Sequence, residues 1–524
     1  MILRSQNQQF FFKDQRGLPN LIYRTPHNTI STLTKFLSIA IFTSSLFTSG
    51  CSVLNFWSSE DPKEENKLTE NTKENVSKEP TLDEVIKTLD TATIIARCKL
   101  TYTDKNYLDA VKYCTRAAEE NNADAQMKLG NMYYNGQGVI RNYQEAFKWF
   151  KAVAEQGYSG AQHNLALMYT NGEGVSQNYD EAFKWFEKAA KTGDAPSQYN
   201  LGTFYYNGKD VKKDYSQAAK WYQKSAEQGL AVAQYNLGYL YEHGQGVKQN
   251  NKTAFKWYEK AAEQGDSDAQ YNLAYMYQYG KGVKRNESTA LDLYKKSSDN
   301  GNPKAQCFMG DVLYQLKNYV AAYHLYEQAA QQGIITAQAQ LGMMYASGLG
   351  VNQNYNEAFY WSKKATEQGN IPAQSNLSIL YYDGNGTTQD YYEAFYWSKK
   401  AADQGYAQAQ YNVGYMYFNG KGVQQNHAEA LKWYEKSATR GYSAAQLNLG
   451  YMYENGYGVK QNFSKAIKLY KKASDQGEAI AQNNLGNMYL KGIGVKKNKA
   501  KAKYYFGLSC GNKFQLACEL YNQL

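Results

Sequence analysis

Apolar side chains between residues 123 and 158 recur at the spacing of a helical face. Ala125, Leu129 and Met132 stand three and four residues apart, which predicts a first helix, called helix A. Gly136 follows, and glycine readily takes the left-handed conformation that commonly ends a helix. The polar positions between these apolar ones face solvent, so helix A is predicted to bury one side.

A second helix, helix B, is predicted in the same stretch. Ala146, Trp149 and Phe150 form its inward side, and Gly157 follows its end. Asn142 precedes it, where an asparagine side chain accepts hydrogen bonds from the free backbone N–H groups of a first turn. The segment therefore predicts two antiparallel helices joined by a short loop.

This helix pair returns along most of the chain. An Ala-Gln dipeptide, or its equivalent, marks each return, and the step is 36 residues everywhere except from 306 to 338, where it is 32. The glutamines are Gln126, Gln162, Gln198, Gln234, Gln270, Gln306, Gln338, Gln374, Gln410, Gln446 and Gln482. A fixed period of this size indicates stacked units that bury their apolar faces against one another. The sequence predicts an all-α solenoid.

Small and aromatic residues also keep a fixed place in the repeat. Alanine recurs at the position of Ala146 and glycine at that of Gly130, which lets two helices approach closely. The repeated tryptophans are Trp149, Trp185, Trp221, Trp257, Trp361, Trp397 and Trp433. A repeated core position explains seven tryptophans better than a binding site does, so we expect them in the core.

Charge and candidate chemistry add little to this picture. The formal net charge is +10, of which residues 1–50 carry +4, so the rest of the chain lacks the basic footprint of a nucleic-acid-binding protein. The five histidines lie far apart in sequence, and no Cys-His cluster has metal-ligand spacing. No lysine follows a serine by three residues, as a serine acyl-enzyme of the β-lactamase type would require. We expect no cofactor, no metal and no catalysis.

The N-terminus has the order of an export signal. Basic residues precede the apolar run 36–47, and small residues lead to Cys51. The Ser-Gly-Cys sequence resembles the lipobox of bacterial lipoproteins, which implies lipidation of Cys51 and an envelope location. An uncleaved anchor extending to Trp57, or ordinary cleaved export, are the alternatives. The polar residues 58–80 are predicted to be a solvated tether.

The repeat resembles the Sel1-like repeat family, whose units are lengthened tetratricopeptide repeats. The resemblance rests on Ala161-Gln162 with Leu165 and Tyr169, on the loop 172–175 and on Asn178-Tyr179 with Glu181-Ala182, and it covers residues 95–524. It implies a right-handed superhelical solenoid. Residues 1–50 are interpreted as the N-terminal extension and signal, 51–80 as anchor and linker, 81–122 as a degenerate capping repeat, and 123–524 as about eleven repeats with a short one near 305–336.

The resemblance also bears on the cysteines. Cys510 and Cys518 resemble the bridge between successive helices of cysteine-rich members, and Cys98 and Cys114 could similarly join the helices of the first unit. Cys307 would then be a buried free thiol. If no bridges form, the four cysteines are small apolar core residues.

The family implies a ligand groove lined by helix A. In tetratricopeptide-like proteins the outward residues lie one, two, five and eight positions after the glutamine, and asparagine at the second position contacts a ligand's peptide backbone. The corresponding groove residues are Tyr199, Asn200, Tyr235, Asn236, Tyr239, Tyr271, Asn272, Tyr275, Tyr411, Asn412, Tyr415 and Tyr451. Alternatively, these tyrosines only pack repeat against repeat.

These observations favour a non-catalytic scaffold of the bacterial envelope that binds a protein or peptide of the envelope or of a host. One alternative is a β-lactamase or cell-wall-acting enzyme, as described for cysteine-rich relatives. Another is a protein quality-control adaptor similar to the endoplasmic-reticulum members of the family.

Overall fold

A computed structural model describes residues 81–524, and every regular element in that part of the chain is a helix. The predicted signal, Cys51 and linker 58–80 lie outside the described residues. Contacts divide the described chain into two compact units, 81–296 and 297–524. Within each unit, consecutive helices pack against each other as antiparallel pairs. Each unit is an all-α repeat solenoid, as predicted.

The first unit begins with the short helix Leu82–Thr88. Its helices A are Thr91–Thr103, Ala123–Asn135, Ser159–Asn171, Ala195–Asn207, Ala231–His243 and Ser267–Tyr279. Its helices B are Tyr107–Glu119, Tyr143–Glu155, Tyr179–Lys191, Tyr215–Glu227, Asn251–Glu263 and Glu287–Asp299, the last of which runs past the boundary between the units.

The second unit has the same alternation. Its helices A are Pro303–Gln315, Ile335–Ser347, Ile371–Asp383, Ala407–Asn419, Ser443–Asn455 and Ala479–Lys491. Its helices B are Tyr319–Gln331, Tyr355–Glu367, Tyr391–Asp403, His427–Thr439, Phe463–Ser474 and Lys499–Gly511, and Gln515–Gln523 ends the chain.

The predicted helix boundaries are confirmed. Gly136 ends helix A with φ 69°, in the left-handed region. Asn142 precedes helix B, and its side-chain oxygen accepts from the backbone N–H groups of Gln144 and Glu145. Local sequence therefore sets where each helix starts and stops.

The hairpin core is a glycine on helix A facing an aromatic ring on helix B. A Cβ at Gly130 would lie 2.7 Å from the ring of Phe150, so a larger residue there would require the ring to shift; two repeats carry alanine at this position, as Ala166 and Ala274. The buried rings at this position in other repeats are Phe186, Tyr222, Tyr258, Tyr294, Tyr326, Tyr434, Tyr470 and Phe506. They directly follow the tryptophan position, and they are the largest of the fully buried side chains.

The prediction for the tryptophans is wrong for most of them. Trp185 and Trp433 are buried, but the other five repeat tryptophans remain partly exposed. A lysine three residues later covers the ring in several repeats, with Lys188 Nζ 3.8 Å from the centroid of Trp185. The tryptophans thus lie at the edge of the core, and the next residue fills it.

The repeated glutamine joins neighbouring hairpins. Gln234 Nε2 donates to the carbonyl of Ala226 in the preceding helix B, at 3.1 Å. Its Oε1 accepts from Gln264, at the end of the following helix B, at 2.8 Å. The residue is buried, so both bonds replace contacts with water. This position therefore connects two successive hairpins.

A disulfide links two helices near each end of the described chain. Disulfides link Cys98 to Cys114 and Cys510 to Cys518, with Cα atoms 4.7 Å apart in each case. Both predicted pairings are confirmed, and Cys307 is a buried free thiol, as expected. Each bridge ties two successive helices together.

Candidate protein-binding groove

Pairs of tyrosines line the helix A surface of the first unit. The outer ring of each pair follows the repeated glutamine, is partly exposed and rests on the buried ring of helix B. The centroid separations are 5.8 Å for Tyr199–Tyr222, 5.7 Å for Tyr235–Tyr258 and 5.4 Å for Tyr271–Tyr294. These contacts fix the orientation of the outer rings while leaving part of each accessible.

A second row of tyrosines depends less on the core. Tyr239 stacks on His243 at 4.0 Å, and Tyr275 lies 4.6 Å from Tyr279. Lys281 Nζ lies 4.7 Å from the ring centroid of Tyr275. Both tyrosines are partly exposed, and these ring contacts involve the same helix and the loop after it. Tyr239 also packs against the core cluster that contains Tyr258 and is hydrogen-bonded to Tyr206. Both rings keep an accessible part that a partner can contact.

Two phenols at this surface, those of Tyr235 and Tyr258, have raised pKa values. Burial is the main cause that raises the pKa of Tyr235 to about 12. Burial also raises the pKa of Tyr258. The hydroxyl of Tyr258 donates a hydrogen bond to Glu242 at 2.8 Å, and the charge of that carboxylate raises the pKa further. The surface consequently offers neutral hydroxyl groups at physiological pH.

The asparagines of the first unit are engaged within the protein. Asn236 Nδ2 donates to the carbonyl of Val232 at 2.7 Å. The side chain of Asn272 is hydrogen-bonded to Tyr235 and Tyr258. Asn272 thus helps to position two phenol rings, and ligand contact by Asn200, Asn236 and Asn272 stays a prediction.

The second unit departs from the expected open surface at two positions. Tyr411 is 8% exposed and Asn412 only 1% exposed, although the sequence pattern places both on the outward side. Tyr411 is enclosed because its ring lies 5.7 Å from that of Tyr434 and 5.3 Å from that of Tyr442, which directly precedes the next helix A. Tyr415 and Tyr451 are partly exposed. For Tyr411, packing between repeats is the correct interpretation.

Sequence reasoning missed a buried carboxyl group in the short repeat. Asp311 accepts a hydrogen bond from Tyr326 at 2.6 Å and is also hydrogen-bonded to Gln340. Burial raises the pKa of Asp311 to about 6, against the opposing effect of these two bonds. The only signal of Asp311 in the sequence is its position, five residues after the repeated glutamine. All the repeats of 36 residues carry an uncharged residue there.

A set of exposed tyrosines on the helix B surface was also missed. Tyr360, Tyr392 and Tyr396 are 52%, 79% and 54% exposed. Tyr360 and Tyr396 stand where most repeats have lysine, which is the signal that could have identified them. In the described residues, no group of three or more His, Cys, Asp or Glu side chains could hold a metal ion.

A solenoid of short antiparallel helices with a tyrosine-lined helix A surface defines a tetratricopeptide-like repeat protein. The Sel1 repeat family model matches almost the whole described chain, so this protein belongs to the Sel1 repeat family. The twelve matched segments are 99–122, 123–158, 159–194, 195–230, 231–266, 267–302, 303–334, 335–370, 371–406, 407–442, 443–478 and 479–512.

Two solved structures illustrate the relationship. One is a protective antigen of uropathogenic Escherichia coli strains with an SLR fold, 32% identical, with a TM-score of 0.60, covering 84% of this chain and 96% of that one. The other is a Sel1 repeat protein from Oxalobacter formigenes, 33% identical, with a TM-score of 0.37, covering 63% of this chain and 93% of that one. No curated protein matches the sequence.

These findings place the chain among proteins that generally act as protein-interaction scaffolds and are typically non-enzymatic. The two disulfides and the bacterial antigen neighbour are compatible with an exported protein. Within residues 81–524, no helix combines the length and the apolar character needed to cross a membrane.

Proposed function

We propose that this protein is a non-catalytic scaffold of the bacterial envelope that binds a peptide or protein segment along the helix A surface of its first unit. The observation that carries the proposal is the second row of partly exposed tyrosines, Tyr239 and Tyr275, beside the core-supported rings of Tyr235 and Tyr271. Tyrosine gives a large rigid contact area and a polar tip, which suits protein recognition.

The polar groups of this surface favour a segment without strong negative charge. Glu242 lies 3.9 Å from Lys281, so the two charges offset each other locally. The phenols add neutral donors and acceptors rather than a basic clamp. The preferred ligand is therefore an uncharged or weakly charged segment with apolar and hydrogen-bonding groups.

An envelope location agrees with several independent features. The disulfides favour an oxidising compartment, and the similarity to a protective antigen supports exposure outside the cytoplasm. Lipidation of Cys51 after the apolar run 36–47 would attach the chain to a membrane, and residues 58–80 would hold the repeats away from it. The partner would then be an envelope protein or a host protein at the cell surface.

Paired variants test the binding surface. Proteins crosslinked to the full chain in intact cells would be identified by mass spectrometry, and one purified candidate would be titrated by calorimetry. Tyr239→Ala with Tyr275→Ala should weaken binding tenfold or more, because both rings contribute accessible contact area. The circular-dichroism spectrum should stay close to wild type because neither ring is fully buried, and the melting temperature should fall only slightly because Tyr239 packs at the edge of the core.

The matched control removes two tyrosines from the helix B surface. Tyr392→Ala with Tyr396→Ala deletes rings that are at least as exposed but lie on the other helix of a repeat. This variant should bind the partner as wild type does. Loss of binding in the control, with the first variant unaffected, would reject the helix A surface as the binding site.

A further inference from the structure

The positive charge beyond residue 80 is concentrated at the C-terminal end of the chain. Residues 81–459 contain 37 lysine and arginine side chains and 37 acidic ones. Residues 460–524 contain twelve lysines and only three acidic residues, Asp475, Glu478 and Glu519, which gives this end a formal charge of +9. An average over the whole chain conceals this concentration.

These lysines are accessible and have no acidic partner within the described chain. All of them are exposed except Lys503, which is partly buried. The exposed ones are Lys460, Lys465, Lys468, Lys471, Lys472, Lys491, Lys496, Lys497, Lys499, Lys501 and Lys513. The last lysine or arginine that forms an ion pair within residues 81–524 is Lys432. The charge at this end is therefore available to a binding partner.

Part of this charge lies on one face of the helix B Phe463–Ser474. Lys465, Lys468 and Lys472 stand three and four residues apart, so they share the exposed side of this helix. Ile467 and Tyr470 are buried on its other side. The helix is therefore amphipathic, with a purely basic outer stripe.

The next helix B, Lys499–Gly511, continues this stripe with apolar groups. Lys501 stands at the position of Lys465, and Tyr504 and Leu508 stand at those of Lys468 and Lys472. Tyr504 is 61% exposed and Leu508 is 37% exposed. We call the following six residues the C-terminal basic surface: Lys465, Lys468, Lys472, Lys501, Tyr504 and Leu508.

Helix stability does not explain why this surface is basic. The third residue of helix B is lysine only in the last two repeats, as Lys465 and Lys501, and five earlier repeats have glutamate there. The glutamates are Glu145, Glu181, Glu357, Glu393 and Glu429. The helix dipole favours an acid in the first turn and disfavours a lysine. Lys465 Nζ lies 4.8 Å from the ring centroid of Tyr453, and this contact orients the ammonium group without neutralising it.

The composition of the surface favours an anionic lipid layer as its partner. All the basic residues of 460–524 are lysines, whereas arginine is the residue best suited to bidentate recognition of single phosphates and of nucleic acids. Clustered lysines are attracted to the diffuse negative charge of lipid head groups. The exposed Tyr504 and Leu508 add an aromatic and an apolar side chain of the kind that enters the boundary between head groups and acyl chains.

We propose that the C-terminal basic surface binds the anionic phospholipids of a membrane. Its four lysines lie against the lipid phosphates, and Tyr504 and Leu508 enter the interface. This contact is separate from the helix A surface of the first unit and requires no protein partner. It goes beyond the proposed function because it gives the second unit a lipid-binding role of its own.

Lysine labelling on vesicles tests this contact in the full chain. The protein would be mixed with vesicles of phosphatidylcholine alone or of phosphatidylcholine with phosphatidylglycerol, labelled with an amine-reactive ester and analysed by mass spectrometry. Labelling of the four surface lysines should fall about threefold or more on the anionic vesicles. The exposed Lys252 and Lys256 of the first unit should be labelled equally on both kinds. Salt at about 0.5 M should remove the difference.

Two variants of the surface identify the groups that bind. Lys468→Gln with Lys472→Gln should reduce the protection of Lys465 and Lys501 by about half or more. Tyr504→Ala with Leu508→Ala should also weaken the protection, because the rings and methyl groups no longer enter the interface. Circular dichroism should show that both variants keep the helical fold, since all four side chains are exposed.

Matched controls separate this surface from net charge and from exposed rings in general. Lys252→Gln with Lys256→Gln lowers the net charge equally and should leave the protection unchanged, as should Tyr392→Ala with Tyr396→Ala. A DNA duplex at the same phosphate concentration should protect the surface lysines less than the anionic vesicles do. Equal labelling on the two kinds of vesicle, unchanged protection in either surface variant, or stronger protection by DNA would overturn the proposal. The measurement needs no protein partner, so its outcome is independent of the test at Tyr239 and Tyr275.

Discussion

A single buried glutamine per repeat carries much of the contact between successive hairpins. Its amide nitrogen reaches the helix before it, and its oxygen accepts from a glutamine thirty residues later in most repeats. In the short repeat, Gln306 instead accepts from Gln332, which is 26 residues later. Two repeats of 36 residues lose the donor, because the later residue is Thr192 in one and Arg440 in the other. The oxygens of Gln162 and Gln410 are then buried without a partner. We call this series of hydrogen bonds between successive hairpins the glutamine ladder, and it lacks one bond at Gln162 and one at Gln410.

Thr192→Gln should repair one of them. The new amide can donate to Gln162 Oε1, as Gln228 does to Gln198, so the free energy of unfolding should rise by about 1 kcal/mol. The opposite change, Gln228→Thr, should lower it by a similar amount. Urea denaturation followed by circular dichroism measures both variants. A Thr192→Gln variant no more stable than wild type would show that the oxygen already has an adequate partner, such as water.

At the scale of the element, the short repeat replaces a glycine-rich loop with a tight turn. Residues 316–318 join its helices, where a regular repeat uses a loop such as 136–142. Lys317 takes a left-handed φ of 62° there, as Lys105 does in the first hairpin with φ 60°. The regular loop packs its second glycine against the preceding repeat, as Gly246 does against the carbonyl of Tyr215. The short repeat lacks that contact, and it alone carries Asp311.

Asp311 should make stability depend on pH. Its pKa is raised in the folded state to about 6, so folding favours the protonated carboxyl. The contribution of Asp311 to the free energy of unfolding is fully present below the pKa of the unfolded chain, near 4. It is lost as pH rises through the folded-state pKa of about 6, and the loss is at most about 3 kcal/mol. Asp311→Asn should abolish this part of the fall in stability between pH 4 and pH 7. Unfolding midpoints across that range check the change.

The control for this measurement is Asp292→Asn at an exposed helix B position. It should leave the pH dependence as in wild type. Equal profiles for wild type and Asp311→Asn would show that the carboxyl is ionised in the folded protein at pH 5.

At the scale of the whole molecule, function depends on where the repeats are held. The polar residues 58–80 separate the proposed lipid attachment at Cys51 from the first helix at Leu82. From its composition we expect this stretch to be a solvated tether, which would hold the repeats away from a membrane if Cys51 is lipidated. Partner choice would therefore reflect both the tyrosine surface and the compartment.

Cys51→Ala tests the attachment. Metabolic labelling with a palmitate analogue should mark the wild-type protein and not the variant, because the thiol is the acylation site. The variant should move from the membrane fraction to the soluble fraction. Unchanged labelling would exclude Cys51 as the modified residue, and an unlabelled wild type that stays in the membrane would favour the uncleaved anchor.

The repeat sequence predicts the fold well because its signals are local. Asn142 and Gly136 bound helices through their own side chain and backbone, and the same pattern recurs in each repeat. Of the residues predicted to face inward on helix B, Phe150 is buried, whereas Trp149, one position earlier, lies at the edge of the core. Exposure on the helix A surface was harder to predict. Tyr411 is buried by Tyr442, and such contacts depend on which residue stands just before the next helix A.

The glutamine ladder has an evolutionary consequence. Its bonds join residues eight and thirty positions apart, within one period of the chain. A recombination event that deletes or duplicates 36 codons in frame therefore keeps the spacing of these bonds in the newly adjacent hairpins. Chain length can change by whole hairpins while the fold is kept. Individual positions such as Thr192 can then diverge in one copy without affecting the others.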